Sequence, residues 1–236
     1  MKKLFLLSTA LIFTFFAFSA SLISAGENIC KVFIPLEEGV TLRYENFNGK
    51  EKLTGSDEMT IQSIKEVGEN IEIGILAKTF DKKGELTSEQ EMEYACVDGN
   101  FKMDLKSYLQ QDMLEAYEDM EMEIEQSELV IPSSIAVGES LPDANLTMKI
   151  KANGSVMMTM NIDITDRKVE GIEEITTPAG TFSAMVLTES QETKMMFMNR
   201  KSKTKTWLVE ELGAVRSETY TDKDKLEFVR ILSAIK

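Results

Sequence analysis

Few residues in this sequence could carry out chemistry on a substrate. The chain of 236 residues has no histidine, which excludes Ser-His-Asp triads, Cys-His dyads and histidine-rich zinc or iron sites. Adjacent carboxylates such as Glu173 and Glu174 could act as a general acid and base, but neighbouring residues of a strand point to opposite faces. The sequence also contains no phosphate-cradling glycine loop. It therefore predicts a protein that is not an enzyme and that has no cofactor and no metal.

The two cysteines, Cys30 and Cys96, are the only thiols in the chain. An even number of cysteines in an exported protein favours a single disulfide bridge between them. Such a bridge would contribute roughly 4 kcal/mol to stability, because it constrains the unfolded chain. Two free buried thiols are the alternative.

The first 25 residues have the pattern of an export signal. Met1-Lys2-Lys3 precedes an almost entirely apolar run over residues 4–22, and Ile23-Ser24-Ala25 offers a small residue for cleavage. An uncleaved membrane anchor is the alternative, because the run approaches the length that a spanning helix needs. We expect cleavage after Ala25 and a periplasmic or otherwise extracytoplasmic mature protein.

The chain is strongly acidic, with 40 Asp and Glu residues against 26 Lys and Arg residues. Cleavage would remove Lys2 and Lys3 and no acidic residue, so the formal charge would change from −14 to −16. This charge repels phosphate backbones and anionic lipid surfaces. We therefore expect no nucleic-acid partner, and contact with a membrane only through the signal segment.

Most of the mature chain shows the two-residue periodicity of β-strands. Alternating apolar residues occur in 40–44, 71–77, 86–97 and 156–164, and Asn, Asp and Gly residues separate many of these runs. The clearest hairpin surrounds Pro178-Ala179-Gly180, because proline and glycine suit the corners of a tight turn. The pattern predicts a mainly β protein with one domain over residues 26–236, built as a curved antiparallel sheet or half-barrel of 11–12 strands.

One stretch shows a helical period instead. Apolar residues spaced by three and four, with acidic residues mostly between them, predict a long amphipathic helix over residues 104–126 that covers the sheet. The members of its apolar stripe are Leu105, Leu109, Met113, Tyr117, Met120 and Ile124.

The methionines of this stripe suggest a ligand-binding wall, because methionine is flexible and adapts to irregular apolar surfaces. Met113, Tyr117 and Met120 of the predicted helix would then meet Met158 and Met160 of a strand. The alternative is that the same residues are ordinary core, which is the usual role of such an apolar stripe.

The order of features in the second half resembles the TapB-like envelope family. The residues that carry the resemblance are those of 137–143 (VGESLPD), 169–171 (VEG), 175–182 (ITTPAGTF), Trp207 and 213–220 (GAVRSETY). That family has no assigned function, so the resemblance implies an envelope protein and no catalytic or binding residues. The expected strands and covering helix are also similar in architecture to the half-barrel of periplasmic lipoprotein carriers.

Two functions from different classes follow from these observations. The first is an envelope protein that binds an apolar ligand, such as a lipid or a lipoprotein acyl chain, between the helix and the sheet. The second is a structural or interaction module that docks an envelope protein through its acidic outer surface. An apolar cavity inside the fold would favour the first, and a filled core would favour the second.

Overall fold

The computed structural model describes residues 31–105, 109 and 120–236. These residues form thirteen β-strands, a number close to the predicted 11–12. The strands are β1 (Thr41–Asn48), β2 (Leu53–Val67), β3 (Asn70–Asp81), β4 (Leu86–Val97), β5 (Asn100–Met103), β6 (Glu121–Gln126), β7 (Leu129–Pro132), β8 (Ala144–Ala152), β9 (Ser155–Thr177), β10 (Gly180–Met195), β11 (Met198–Val209), β12 (Gly213–Thr221) and β13 (Leu226–Ile235).

All thirteen described strands belong to one sheet, whose order is β6-β8-β9-β10-β11-β12-β13-β1-β2-β3-β4-β5-β7. Neighbouring strands pair antiparallel throughout, as the alternating pattern predicted. β1 pairs with β13, so the first and the last of the described strands are neighbours inside the sheet. Most connections are short hairpins, which antiparallel pairing allows.

The two edge strands of the sheet are consecutive in the chain. β6 ends at Gln126 and β7 begins at Leu129, so only two residues separate the opposite edges. Three peptide steps span at most about 11 Å, and the sheet must therefore curl until its edges approach each other. At the start of this connection, the backbone N–H of Ser127 donates to the carbonyl of Asn145 at 2.8 Å, which continues the pairing of β6 with β8. Curling of this kind protects edge strands from pairing with other chains.

The hairpin predicted around Pro178-Ala179-Gly180 is confirmed. β9 ends at Thr177, β10 begins at Gly180, and Pro178 and Ala179 form the turn. Gly180 has a φ of +144°, and a Cβ there would lie 3.3 Å from the Phe182 ring. Because L side chains rarely adopt this φ, glycine is required at this corner.

The predicted amphipathic helix over residues 104–126 is wrong. The described part of that stretch contains no α-helix, and its last six residues form β6, which pairs with β8. In β6 the acidic residues alternate with Met122 and Ile124, and the acids face lysines of β8. Lys151 Nζ lies 2.7 Å from Glu123 Oε2, and Lys149 Nζ lies 3.1 Å from Glu125 Oε1. Cross-strand charge pairs of this kind stabilise a strand that the helical spacing had concealed.

The buried side chains divide into two clusters. The "main core" consists of Val32, Phe33, Ile34, Leu42, Tyr44, Met59, Ile61, Ile71, Ile73, Ile75, Cys96, Phe101, Ile131, Leu141, Val169, Ala184, Val186, Leu187, Trp207, Leu208, Val215 and Leu232. The "methionine core" consists of Leu105, Leu109, Leu129, Ala144, Leu146, Met148, Ile150, Met158, Met160, Ile162 and Ile164. β9 is long enough to contribute to both, with its first half in the methionine core and Val169 in the main core.

Cys96 lies on β4 and is buried in the main core, as the alternating pattern predicted. Its expected partner, Cys30, lies outside the described residues, so the bridge stays a prediction. Within the described ranges, no helix has the length and apolar content needed to cross a bilayer.

Candidate ligand-binding cavity

The structure places the five predicted ligand-binding residues in different surroundings. Met158 and Met160 are buried in the methionine core, at 8% and 4% exposure. Met120 is 41% exposed, and Met113 and Tyr117 lie outside the described residues. The structure thus brings Met158 and Met160 together in the methionine core, whereas Met120 is partly exposed to solvent.

Methionines from four strands form a continuous row across the sheet. Met148 of β8 pairs with Met160 of β9, which pairs with Met195 of β10, which pairs with Met198 of β11. Leu105 and Leu109, the first two members of the predicted helical stripe, are buried in the cluster that contains this row. Met148 and Met160 of the row are buried there as core, which was one of the two interpretations that the sequence left open, whereas Met198 is exposed.

A cavity lies elsewhere, beside the main core. It has a volume of about 230 Å³ and is lined by side chains from most strands of the sheet. Its apolar wall includes Leu42, Met59, Leu129, Ile131, Leu187 and Leu208. Met103 also lines the cavity and packs against both cores, so it forms part of the boundary between the cavity and the methionine core.

Arg167 is the largest fully buried side chain in this region, with 1% exposure, and it lines the cavity. Its Nη1 donates hydrogen bonds to the carbonyls of Pro142, at 2.7 Å, and Val130, at 3.0 Å. Val130 belongs to β7, the opposite edge of the sheet, so this guanidinium joins the two ends of the sheet. Its Nε lies 3.5 Å from Oε2 of Glu189, which is itself largely buried. Burial raises the pKa of Glu189, and the nearby positive charge of Arg167 opposes that rise.

A bulge in β9 directs Arg167 to the interior. Thr165 pairs with Ser190 and Lys168 pairs with Thr188, so Asp166 and Arg167 together face the single residue Glu189. Asp166 has a φ of +53° and is exposed, and after it the buried positions change from even to odd numbers. An extra residue of this kind re-aims the following side chains.

A second arginine, Arg230 of β13, lines another part of the cavity. Its guanidinium lies 3.8 Å from the centre of the Tyr44 ring, and its Nε lies 3.1 Å from Asp57 Oδ2. Burial raises the pKa of Tyr94, which also lines the cavity, to about 12, and Arg230 opposes this effect. Tyr44 and Tyr94 are therefore neutral at physiological pH and act as hydrogen-bonding or apolar wall groups, and not as bases.

The cavity thus combines an apolar wall with two guanidinium groups. Such a site can hold an apolar body and fix an anionic or polar group at one end. Among the described residues, no three or more His, Cys, Asp and Glu side chains are placed to hold a metal ion. Sequence reasoning missed Arg167 and Glu189 as site residues. The sequence does contain one sign of the bulge: the apolar positions change from even to odd numbers between Ile164 and Val169.

A family model described as DUF3108-like matches residues 37–232. The chain therefore belongs to the DUF3108-like family. The narrower resemblance to TapB-like proteins is not shown by this match and stays a prediction. No curated protein matched the sequence.

Two solved structures have a similar fold. One is a Bacteroides fragilis protein inferred to be exported and described as having a YmcC-like fold, with 22% identity, a TM-score of 0.71, and coverage of 88% of this chain and 100% of that one. The other is a Parabacteroides distasonis protein inferred to be a lipoprotein, with 20% identity, a TM-score of 0.71, and coverage of 88% and 99%. At these identities the similarity establishes the fold and not the function.

Proposed function

We propose that this DUF3108-like protein is a non-catalytic bacterial envelope protein that binds an apolar ligand with an anionic head in the cavity beside the main core. The observation that carries the proposal is the cavity itself, with an apolar wall and with Arg167 and Arg230 among its lining residues. The predicted export signal supports a location outside the cytoplasm. The descriptions of the two structural neighbours, one as exported and one as a lipoprotein, support the same location.

The size of the cavity limits the ligand. Its volume of about 230 Å³ is below the ~300–1,000 Å³ of most small-molecule sites. A short acyl chain, or the end of a longer lipid or lipoprotein acyl chain, suits this space better than a whole phospholipid. The ligand position also differs from the predicted one, because it lies inside the curled sheet and not beneath a helix.

The charged groups specify the head of the ligand. Arg230 has five N–H donors: its Nε lies 3.1 Å from Asp57 Oδ2, and its Nη2 donates a weak hydrogen bond to Met59 Sδ at 3.5 Å. Glu189 has a raised pKa, so proton uptake by this residue is easier than in water and would lower the negative charge beside Arg167. Both features favour a carboxylate or phosphate over a cationic head.

Calorimetric titration with three ligands of equal chain length tests the proposal. Wild-type protein should bind decanoate, bind decanol more weakly, and bind decyltrimethylammonium least. Arg230→Met should weaken decanoate binding by about 10- to 100-fold through loss of charge-assisted hydrogen bonds, and should change decanol binding little. Arg43→Met is the matched control, because Arg43 pairs with Glu58 and does not line the cavity. Equal losses for decanoate and decanol would contradict the anionic-head assignment.

The second candidate function, docking of a protein partner, has an observation of its own. Glu89, Glu91 and Glu93 alternate along β4 and are exposed, so they form an acidic row on one face of the sheet. A basic partner bound to this row would be released by salt. Wild-type protein that binds none of the three decyl ligands would leave this function as the better one.

A further inference from the structure

The hairpin between β10 and β11 has an unusually apolar tip. Its two turn residues are Met196 and Phe197, and Met195 and Met198 pair with each other directly behind them. Phe197 is 99% exposed, Met196 is 70% exposed and Met198 is 62% exposed. Turns normally contain Gly, Asn, Asp, Ser or Pro, so three consecutive exposed apolar side chains here need a reason.

A second apolar tip lies at the same end of the sheet. β9 begins and β10 ends at this end, because Met160 near the start of β9 pairs with Met195 at the end of β10. The hairpin between β8 and β9 turns at Asn153-Gly154, and Val156 and Met157 just after it are 52% and 64% exposed. Two neighbouring hairpins therefore expose apolar side chains at the same end of the sheet.

The two tips differ in charge from the chain as a whole. Residues 152–157 and 195–199 contain no acidic residue, although the chain has 40. Behind the tips, the first charged residues on β8, β10 and β11 are basic, whereas on β9 the first is Asp163, six residues after Met157. The basic residues are Lys151, Lys194, Arg200 and Lys201. Their acidic neighbours lie further back or on other strands: Glu121 and Glu123 for Lys151, Asp163 and Glu192 for Lys194, Glu227 for Arg200, and Glu192 for Lys201. Exposed ion pairs of this kind are weak, so the lysines and the arginine can exchange partners.

We propose that these two hairpin tips, residues 152–157 and 195–199, insert into the surface of an anionic phospholipid bilayer. A projecting aromatic side chain flanked by flexible methionines suits the interfacial region of a membrane, and basic residues behind it suit anionic headgroups. A protein partner would need a contact area of about 800 Å² on each side, which a two-residue turn does not offer by itself. The proposal does not depend on the cavity or on its ligand.

Vesicle flotation with the protein purified after export tests this site. Wild-type protein should float with phosphatidylethanolamine–phosphatidylglycerol vesicles and bind phosphatidylcholine vesicles less. Phe197→Ser should weaken flotation by about tenfold, because one buried aromatic side chain is lost from the lipid. Lys194→Glu should weaken binding roughly fivefold, and only to the anionic vesicles. Ile172→Ser is the control, because Ile172 is 67% exposed and lies near the opposite end of β9.

A fluorescence measurement separates insertion from other forms of association. Trp207 is the only tryptophan and is buried, so Phe197→Trp adds a second indole in a different environment. Its emission should shift to shorter wavelength on addition of anionic vesicles and should be quenched by brominated lipid. Failure of the wild-type protein to float, or flotation that Phe197→Ser leaves unchanged, would overturn the proposal. A dimer that Phe197→Ser dissociates, without flotation, would assign the tips to a second copy of the chain instead.

Discussion

The two cores of this protein solve the problem of burial differently. The methionine core is made of Leu, Ile, Met and Ala side chains, and its methionines continue across four strands as one row. Beside the main core, by contrast, lie Arg167 with Glu189, Arg230 with Asp57, and a cavity of about 230 Å³. Burying charged groups costs free energy unless they are paired, and apolar side chains of similar volume would often be at least as stable.

This difference moves the expected ligand site from the methionine core to the cavity beside the main core. The methionine-rich sequence suggested an adaptable ligand wall, and of its predicted members the structure shows Met158 and Met160 packed in the methionine core. The main core keeps charged groups and open space that packing alone does not require. Perturbed groups beside a cavity are the stronger indication of a binding site.

The largest expected effect comes from removing the charge that joins the two ends of the sheet. Arg167→Met would leave Glu189 buried without its partner and two carbonyls without their donor. We expect a loss of about 3–5 kcal/mol in the free energy of unfolding, measured by urea denaturation. Arg43→Met, which removes a partly exposed ion pair with Glu58, should cost no more than about 1 kcal/mol.

A second variant keeps this test decisive. Arg167→Met combined with Glu189→Leu should recover part of the lost stability, because the unpaired buried carboxylate is gone. If Arg167→Met alone were as stable as Arg43→Met, the guanidinium would not hold the sheet closed.

The predicted bridge would attach Cys30 to the main core and not to the methionine core, because Cys96 belongs to the main core. Intact mass should show the loss of two hydrogens relative to the reduced chain, and reduction should lower the free energy of unfolding by roughly 4 kcal/mol. Two thiols that alkylate freely without reductant would remove this distinction between the cores.

The same substitution at two methionines, one in each region, compares how tightly the two regions are packed. Met160 is buried in the methionine core, and Met59 is similarly buried but lines the cavity. Met160→Ala should cost about 2–5 kcal/mol, as at a filled site, whereas Met59→Ala should cost about 1–2 kcal/mol, because its surroundings already include open space. Equal costs in thermal or urea unfolding would show that the two regions are packed alike.

The smallest effect is a pH dependence specific to the main core. Because the pKa of Glu189 is raised in the folded protein, the folded state binds a proton more tightly than the unfolded state. Its contribution to stability is therefore fully present below the ordinary glutamate pKa and is lost as the pH rises through the raised value. The stability of the wild type relative to Glu189→Gln should therefore fall as the pH rises through this range. A pH-independent difference would contradict the raised pKa.

The strands were predictable because alternation is a local property. β3, β4 and the start of β9 follow the apolar spacing directly, and the turn at Pro178-Ala179 follows from residue types that set φ. A helix was wrongly predicted over 121–126 because Met120 and Ile124 fit a helical spacing, whereas Met122 and Ile124 fit the alternation of a strand. Ion pairs with the lysines of β8 favour the strand, and those lysines are too distant in sequence for a local pattern to reveal them.

The cavity could not be predicted in the same way. Its wall combines Leu129 of β7, one edge strand, with Arg167 of β9, the third strand from the opposite edge, and these residues meet only because the sheet curls. An arginine inside a polar run, Asp166-Arg167-Lys168, reads as solvent-exposed unless the bulge is known. The export signal is predicted from composition alone, and the residues on which it rests lie outside the described ranges.

Methionine methyl NMR tests the central claim most directly, because methionines report on both regions. In protein labelled with ¹³C at the methionine methyl groups, titration with decanoate should shift the Met59 signal, since Met59 lines the cavity. Met158 and Met160, buried in the methionine core, should keep their positions. Assignment by single Met→Leu variants identifies each signal. Shifts confined to Met158 and Met160, with Met59 unchanged, would contradict the account and return the ligand site to the methionine core.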